Sequence, residues 1–284
     1  MNQLIAQLLQ HGPVITDGAW GTQLQARGLA IGACPDEWNL THADRVEAVA
    51  RAYVEAGSRV ILTNTFGANR VRLAEFGLAD QAVEINRVGA AISRRAAGPR
   101  AKVVVSLGPT GKMLMLDEVP PAEILAGFTE QAQALQAGGA DAIVLETMAE
   151  LAEVKLALAA AQTTGLPVVA CMVFDTGGRT MMGVTPAQAA QELTAAGADV
   201  IGANCGSGIG DFMAICRALR TGTDRPLWMK PNAGLPEMVE GQAVYRSAPA
   251  EFAAQVPALL EAGAVFVGGC CGTTPEHIRA LTGT

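Results

Sequence analysis

The chain has 284 residues, half of them apolar and 32 of them glycine, enough for a sizeable core threaded by tight turns. Its formal charge of −7 and pI near 5.1 argue against a general nucleic-acid or membrane-surface binder. No positive, apolar leader opens it, no run of about eighteen apolar residues occurs, and six cysteines at this length do not suggest a disulfide scaffold, so the expectation is a cytoplasmic protein with reduced thiols.

A short helix over 2–10 leads to a brief strand, 13–18, that ends in a glycine turn. From there one unit keeps returning: an alanine-rich helix, an Ala-Gly or Gly-Ala break, then a strand of branched residues ending in polar ones. Helices are expected over 43–55, 81–95, 122–136, 151–162, 186–195, 211–220 and 249–260. The strands that follow them are expected over 60–65, 102–106, 142–147, 168–174, 200–205, 227–230 and 265–267, with a last helix over 275–281. Near-continuous apolar strands separated by helices indicate an all-parallel sheet. Eight such units at this length point to a single-domain α/β fold spanning 1–284, a (β/α)8 TIM barrel. No linker, charge block or low-complexity tract marks a second domain.

A barrel keeps its chemistry at the carboxyl ends of its strands. There the sequence places Asp17, Asn64, Ser106, Glu146, Asn204, Cys205, Lys230, Asn232, Cys270 and Cys271. Side chains alternate faces along a strand, so Cys270 and Cys271 cannot both point one way while the strand stays regular. Gly268, Gly269 and Gly272 supply the freedom to break that alternation. The stretch Asn204-Cys205-Gly206 has the same build. If these are strands six and eight of the ring, three thiols meet at one mouth with a fourth position open, the arrangement of a catalytic zinc (Zn2+) site. Two other readings stay open: buried small hydrophobes in a tight turn, and a phosphate cradle in the glycine-rich turn. Metal is preferred because Cys205 supplies the third thiol.

Cys171 and Cys216 read as core, Cys34 as a loop residue, and His11, His42 and His277 as capping or surface groups. Met113, Met115, Met181 and Met182 read as packing or lid residues. Asp17 and Glu146 either brace loops or hold a substrate ammonium group, and substrate binding is preferred.

Seven motifs, taken in order, resemble the homocysteine S-methyltransferase family over almost the whole chain. They are Asp17-Gly18-Ala19-Trp20-Gly21-Thr22, Thr63-Asn64-Thr65-Phe66, Gly108-Pro109-Thr110, Glu146-Thr147, Gly202-Ala203-Asn204-Cys205-Gly206, Lys230-Pro231-Asn232-Ala233-Gly234 and Gly269-Cys270-Cys271-Gly272-Thr273. The resemblance implies the same barrel, zinc on Cys205, Cys270 and Cys271, and methyl transfer to homocysteine to form methionine. It implies that Asp17 and Glu146 hold the amino group of homocysteine, that Gly18 and Ala19 line the pocket, and that Asn204 orders it. For the donor it puts a methylcorrinoid protein acting in trans first, with S-methylmethionine, S-adenosylmethionine or betaine as alternatives. Trp20 stands where the resemblance implies a smaller or more flexible residue such as methionine, a departure that bears on the donor side of the pocket. The lack of a dimerisation segment after the last helix suggests a monomer. A non-catalytic zinc or thiol redox sensor is the competing class.

Overall fold

The computed structural model describes residues 2–175, 177–239 and 242–283. Its main sheet has eight strands: β1 (Val14–Ile15), β2 (Val60–Ile61), β3 (Lys102–Leu107), β4 (Ala142–Met148), β5 (Val168–Met172), β6 (Val200–Gly208), β7 (Leu227–Asn232) and β10 (Ala264–Val267). A small antiparallel hairpin, β8 (Glu237–Val239) with β9 (Gln242–Val244), interrupts the series before β10. The sheet order is β1-β10-β7-β6-β5-β4-β3-β2, every pairing parallel. The last strand thus lies between β7 and β1.

The ring closes between β1 and β2 without a regular ladder. The Arg59 amide donates to the Ile15 carbonyl at 2.9 Å, and the Leu62 amide donates to Asp17 Oδ2 at 2.7 Å. A carboxylate takes the place of a rung.

Two apolar layers follow from the period-two alternation of the strands. Val104, Val144, Val169, Val200, Trp228 and Phe266 fill the interior, with Ile5 and Leu8 of the helix Gln3–Leu9 packed on the same cluster. Val103, Val105, Ile143, Leu145, Ile201 and Met229 face outward and meet the helices. The barrel is a packed core with one working end.

Several elements differ from the sequence expectation. β1 and β2 have two residues each, because beyond them Thr63 and Asp17 make side-chain hydrogen bonds in place of ladder bonds. The helix expected over 249–260 divides into Pro249–Ala254 and Val256–Glu261. Pro257 falls in the first turn of the second piece, where its missing amide costs nothing. The hairpin and the short loop helices Gly21–Gln25, Trp38–Thr41 and Arg70–Leu73 carry no long apolar period and were not expected.

Candidate metal centre and substrate cavity

The thiols of Cys205, Cys270 and Cys271 lie within 4.8 Å of one another at the end of β6 and just past β10. Cys205 Sγ and Cys271 Sγ are 3.9 Å apart. Tetrahedral thiolates at about 2.3 Å from zinc would stand about 3.8 Å apart, so the donor set fits that ion in number, chemistry and spacing.

The backbone achieves this convergence by leaving regular strand geometry. Cys205 has φ +62°, in the left-handed region that is uncommon for a residue with a Cβ, and Gly206 follows at +74°. A Cβ at Gly206 would collide with the carbonyl oxygen of Phe174. The pairing of β6 with β7 shifts register between Asn204 and Gly208. This bulge turns Cys205 toward the thiols beyond β10.

Hydrogen bonds unite the cluster. Those from Cys270 and Cys271, with the Gly206 amide and Asn232, hold the Cys205 thiol down to about 3. The Cys271 thiol is pushed up to about 11, foremost by its hydrogen bond with Cys205 and then by burial. Asn204 links this cluster to β4: its Nδ2 donates to Thr147 Oγ1 at 2.7 Å and approaches Cys270 Sγ at 3.8 Å, while its Oδ1 accepts from the Thr147 amide at 2.7 Å.

The thiols open onto a cavity of about 380 Å³ whose wall also includes Gly18, Ala19, Trp20, Glu146, Asn204 and Lys230. Glu146 Oε1 accepts a hydrogen bond from Ser106 Oγ, and its Oε2 has no hydrogen-bond partner among the described residues. Burial raises the Glu146 carboxyl against the opposing pull of Lys230. For Lys230, burial pulls down, but Asp17 and Glu146 outweigh it and hold the ammonium charged.

Asp17 stands behind this wall. Its Oδ1 accepts from Lys230 Nζ at 2.6 Å, and its Oδ2 accepts from Trp20 Nε1 at 2.8 Å and from the Leu62 amide. Ala19 is braced as well: its amide donates to Thr273 Oγ1 at 3.1 Å and its carbonyl accepts from Tyr53 Oη at 2.6 Å.

Cys171 and Cys216 are buried in the core as expected, and Cys34 is also buried. His277 caps the helix Pro275–Leu281, accepting at Nδ1 from the Thr274 amide at 3.2 Å, but it is buried, not on the surface. Met115, in the short 3-10 helix Leu114–Leu116, and Met181, on a loop, are both exposed.

Sequence reasoning gave no role to Lys230, Ser106 or Asn232, although their places at strand ends were the available signal. Tyr245, whose ring packs against Gly272 next to Cys271, follows the unexpected hairpin and gave no signal.

Residues 14–284 match the homocysteine S-methyltransferase family. Methionine synthase of Mycobacterium tuberculosis is 35% identical over 98% of this chain, and that of Mycobacterium leprae 32% identical over 98%. The chain spans only 25% and 24% of the length of those relatives. The crystal structure of the homocysteine methyltransferase MmuM from Escherichia coli, in its metallated form, has the same fold, with a TM-score of 0.83 at 23% identity over 99% of both chains. Among the described residues, no helix is long and apolar enough to cross a membrane.

Proposed function

The chain belongs to the homocysteine S-methyltransferase family, and from that premise we propose that it binds zinc through Cys205, Cys270 and Cys271 and methylates homocysteine to methionine. The convergence of the three thiols, one from β6 and two from beyond β10, is the observation that carries this reading. Zinc, when bound, would favour the deprotonated form of a coordinated substrate thiol and keep it nucleophilic at neutral pH.

The protein's own residues bind and orient. Glu146 takes the substrate ammonium on its Oε2, the oxygen that Ser106 leaves free. Lys230 supplies positive charge for the substrate carboxylate. Asp17 acts on the substrate through Lys230 and Trp20, which it holds in place. The braced turn at Gly18 and Ala19 forms the floor on that side, and Asn204 keeps the β4 and β6 ends in register. Holding both charged groups on the α-carbon of homocysteine anchors that end and orients its sulfur for in-line attack on a methyl group, and such orientation removes much of the entropic barrier. No side chain has to give or take a proton in the transfer itself.

A redox sensor needs no carboxylate beside its thiols, so the partnerless oxygen of Glu146 favours the enzyme. A methylcorrinoid carried on another protein would deliver its methyl group through the cavity mouth, whereas a small donor would enter beside homocysteine.

The test is zinc content of the purified protein, followed by X-ray absorption at the zinc edge. One zinc per chain with three sulfur neighbours, rising to four with homocysteine, is expected. Cys205→Ser should lower the sulfur count and the affinity for the metal. No bound metal under reducing conditions, or no added sulfur, would sink the reading.

A further inference from the structure

Two residues on the cavity wall hold a backbone conformation that their side chains disfavour. Among the described residues, three that carry a Cβ have a positive φ: Asp117 at +53°, Thr147 at +60° and Cys205 at +62°. Asp117 ends the turn Leu114–Leu116, and aspartate visits the left-handed region readily. Thr147 is β-branched, and such a residue stays there only where its surroundings hold it. It follows Glu146 directly, as Cys205 follows Asn204.

The two departures have one effect. In a regular strand neighbours point to opposite faces, yet Glu146 and Thr147 both line the cavity, and so do Asn204 and Cys205. The pairing of β4 with β5 shifts register between Leu145 and Met148, and that of β6 with β7 between Asn204 and Gly208. Between β4 and β6 lies β5, whose last residue, Met172, pairs with Met148 on one side and Ala203 on the other. Asn204, one residue past Ala203, spans the gap to Thr147, one residue before Met148.

Both polar atoms of the buried Asn204 side chain are committed to that span. Its Oδ1 accepts from the Thr147 amide at 2.7 Å, and its Nδ2 donates to Thr147 Oγ1 at 2.7 Å. A backbone N–H can only donate, so the pairing fixes which way the side-chain amide faces. The Thr147 nitrogen belongs to the peptide bond that ends Glu146, so holding it holds the base of the Glu146 side chain. At the other end, Asn204 is joined by its own peptide bond to Cys205. A restraint on Cys205 therefore reaches Glu146 through two peptide bonds and one doubly held side chain.

We propose that Thr147 is a positioning residue, and that its clasp with Asn204 couples the metal site to the ammonium site: metal on Cys205 tightens the hold of Glu146 on an amino acid that does not itself touch the metal. This coupling rests on the reading that zinc binds at Cys205 and the substrate ammonium at Glu146. Linkage makes it reciprocal, so the amino acid tightens zinc by the same factor.

Calorimetry with L-2-aminobutyrate, which is homocysteine without its sulfur, tests this with no methyl donor and no turnover. In the wild type, zinc loading should raise its affinity about tenfold over the zinc-free protein. Thr147→Ser keeps the hydroxyl and should keep that gain. Thr147→Val keeps the shape and drops the hydroxyl, and the gain should shrink by about fivefold, the loss of one neutral hydrogen bond. A role in packing alone predicts the reverse order, with valine tolerated and serine not. Asn204→Ala removes both bonds and should show no gain.

No gain from zinc in the wild type, or the full gain in Thr147→Val, would overturn the proposal. So would Thr147→Ser behaving as Thr147→Val does. A wild type that binds 2-aminobutyrate but no zinc is a different result, which removes the metal reading. The clasp is then judged by Thr147→Val, which should still bind the amino acid more weakly than Thr147→Ser; equal affinities would overturn it. A zinc-loaded wild type that binds homocysteine but not 2-aminobutyrate would remove the Glu146 reading, and the proposal with it.

Discussion

Asp17 and Asp36 are both buried carboxylates at the barrel mouth, but only Asp17 has a cation in contact. Lys230 Nζ sits 2.6 Å from Asp17 Oδ1, with the two side chains 3% and 0% exposed. Deleting one member of such a pair strands the other in low dielectric. Asp17→Asn should therefore lower the unfolding free energy by about 3–5 kcal/mol, and adding Lys230→Met should recover part of that loss. Urea denaturation of the three variants checks this, and strictly additive losses would count against the pairing. Asp36 gives a pH signature instead. Its folded-state pKa is raised from 3.8 to about 6, so between those values the folded chain keeps a proton that the unfolded chain has released. The folded state is thus favoured at low pH, and this contribution falls by about 3 kcal/mol as pH rises from about 4 to about 6. Asp36→Asn, which keeps an acceptor for the Gly67 amide, removes that dependence. Its stability relative to wild type should improve across the window and then level off; a constant difference from pH 4 to pH 7 would refute the assignment.

At the level of elements, the end of β6 shows what local pattern can and cannot reveal. The glycine-flanked cysteine after an apolar run was legible, because glycine beside a strand end signals a break in alternation. The form of that break was not: the positive φ of Cys205 and the register shift against β7 depend on neighbours far along the chain. Gly206→Ala tests it. The added Cβ meets the Phe174 carbonyl and must sit at φ +74°. The variant should lose at least about 1 kcal/mol from backbone strain alone and more from the collision, and it should hold zinc less tightly in competition with a chelator. Wild-type metal affinity in a folded Gly206→Ala would show that the bulge does not set the site. The hairpin escaped sequence reading for a related reason. Glu237, Met238 and Val239 are all exposed, so no face of β8 repeats as buried. Arg72 and Asp36 lie in loops whose short helices are held by side-chain caps and tertiary contacts, which leave no period to read.

For the whole molecule, the repeated unit made the barrel readable, since each apolar strand between helices had to be buried on both faces. The interior layer of Val104, Val144, Val169, Val200 and Trp228 follows from that alternation. The closure was not readable, because Asp17 meets the Leu62 amide across 45 residues of sequence through a side chain. Metal bound across β6 and β10 would tie two parts of the ring together and favour the folded state by mass action. Removing zinc with a chelator should therefore lower the thermal midpoint of the wild type and leave that of Cys205→Ser nearly unmoved. Equal shifts in both would mean that the metal binds elsewhere.

The place of β10 between β7 and β1 also orders events during synthesis. A nascent chain that has emerged only as far as β7 has its first seven barrel strands, but β1 and β7 lack the neighbour that β10 supplies, and the chain holds one of the three thiols. Zinc can then have no complete site until the last strand leaves the ribosome. Under the proposed zinc assignment, metal capture would report that the ring has closed, and an interrupted product would be left with open sheet edges, the surface that draws chaperones or aggregates.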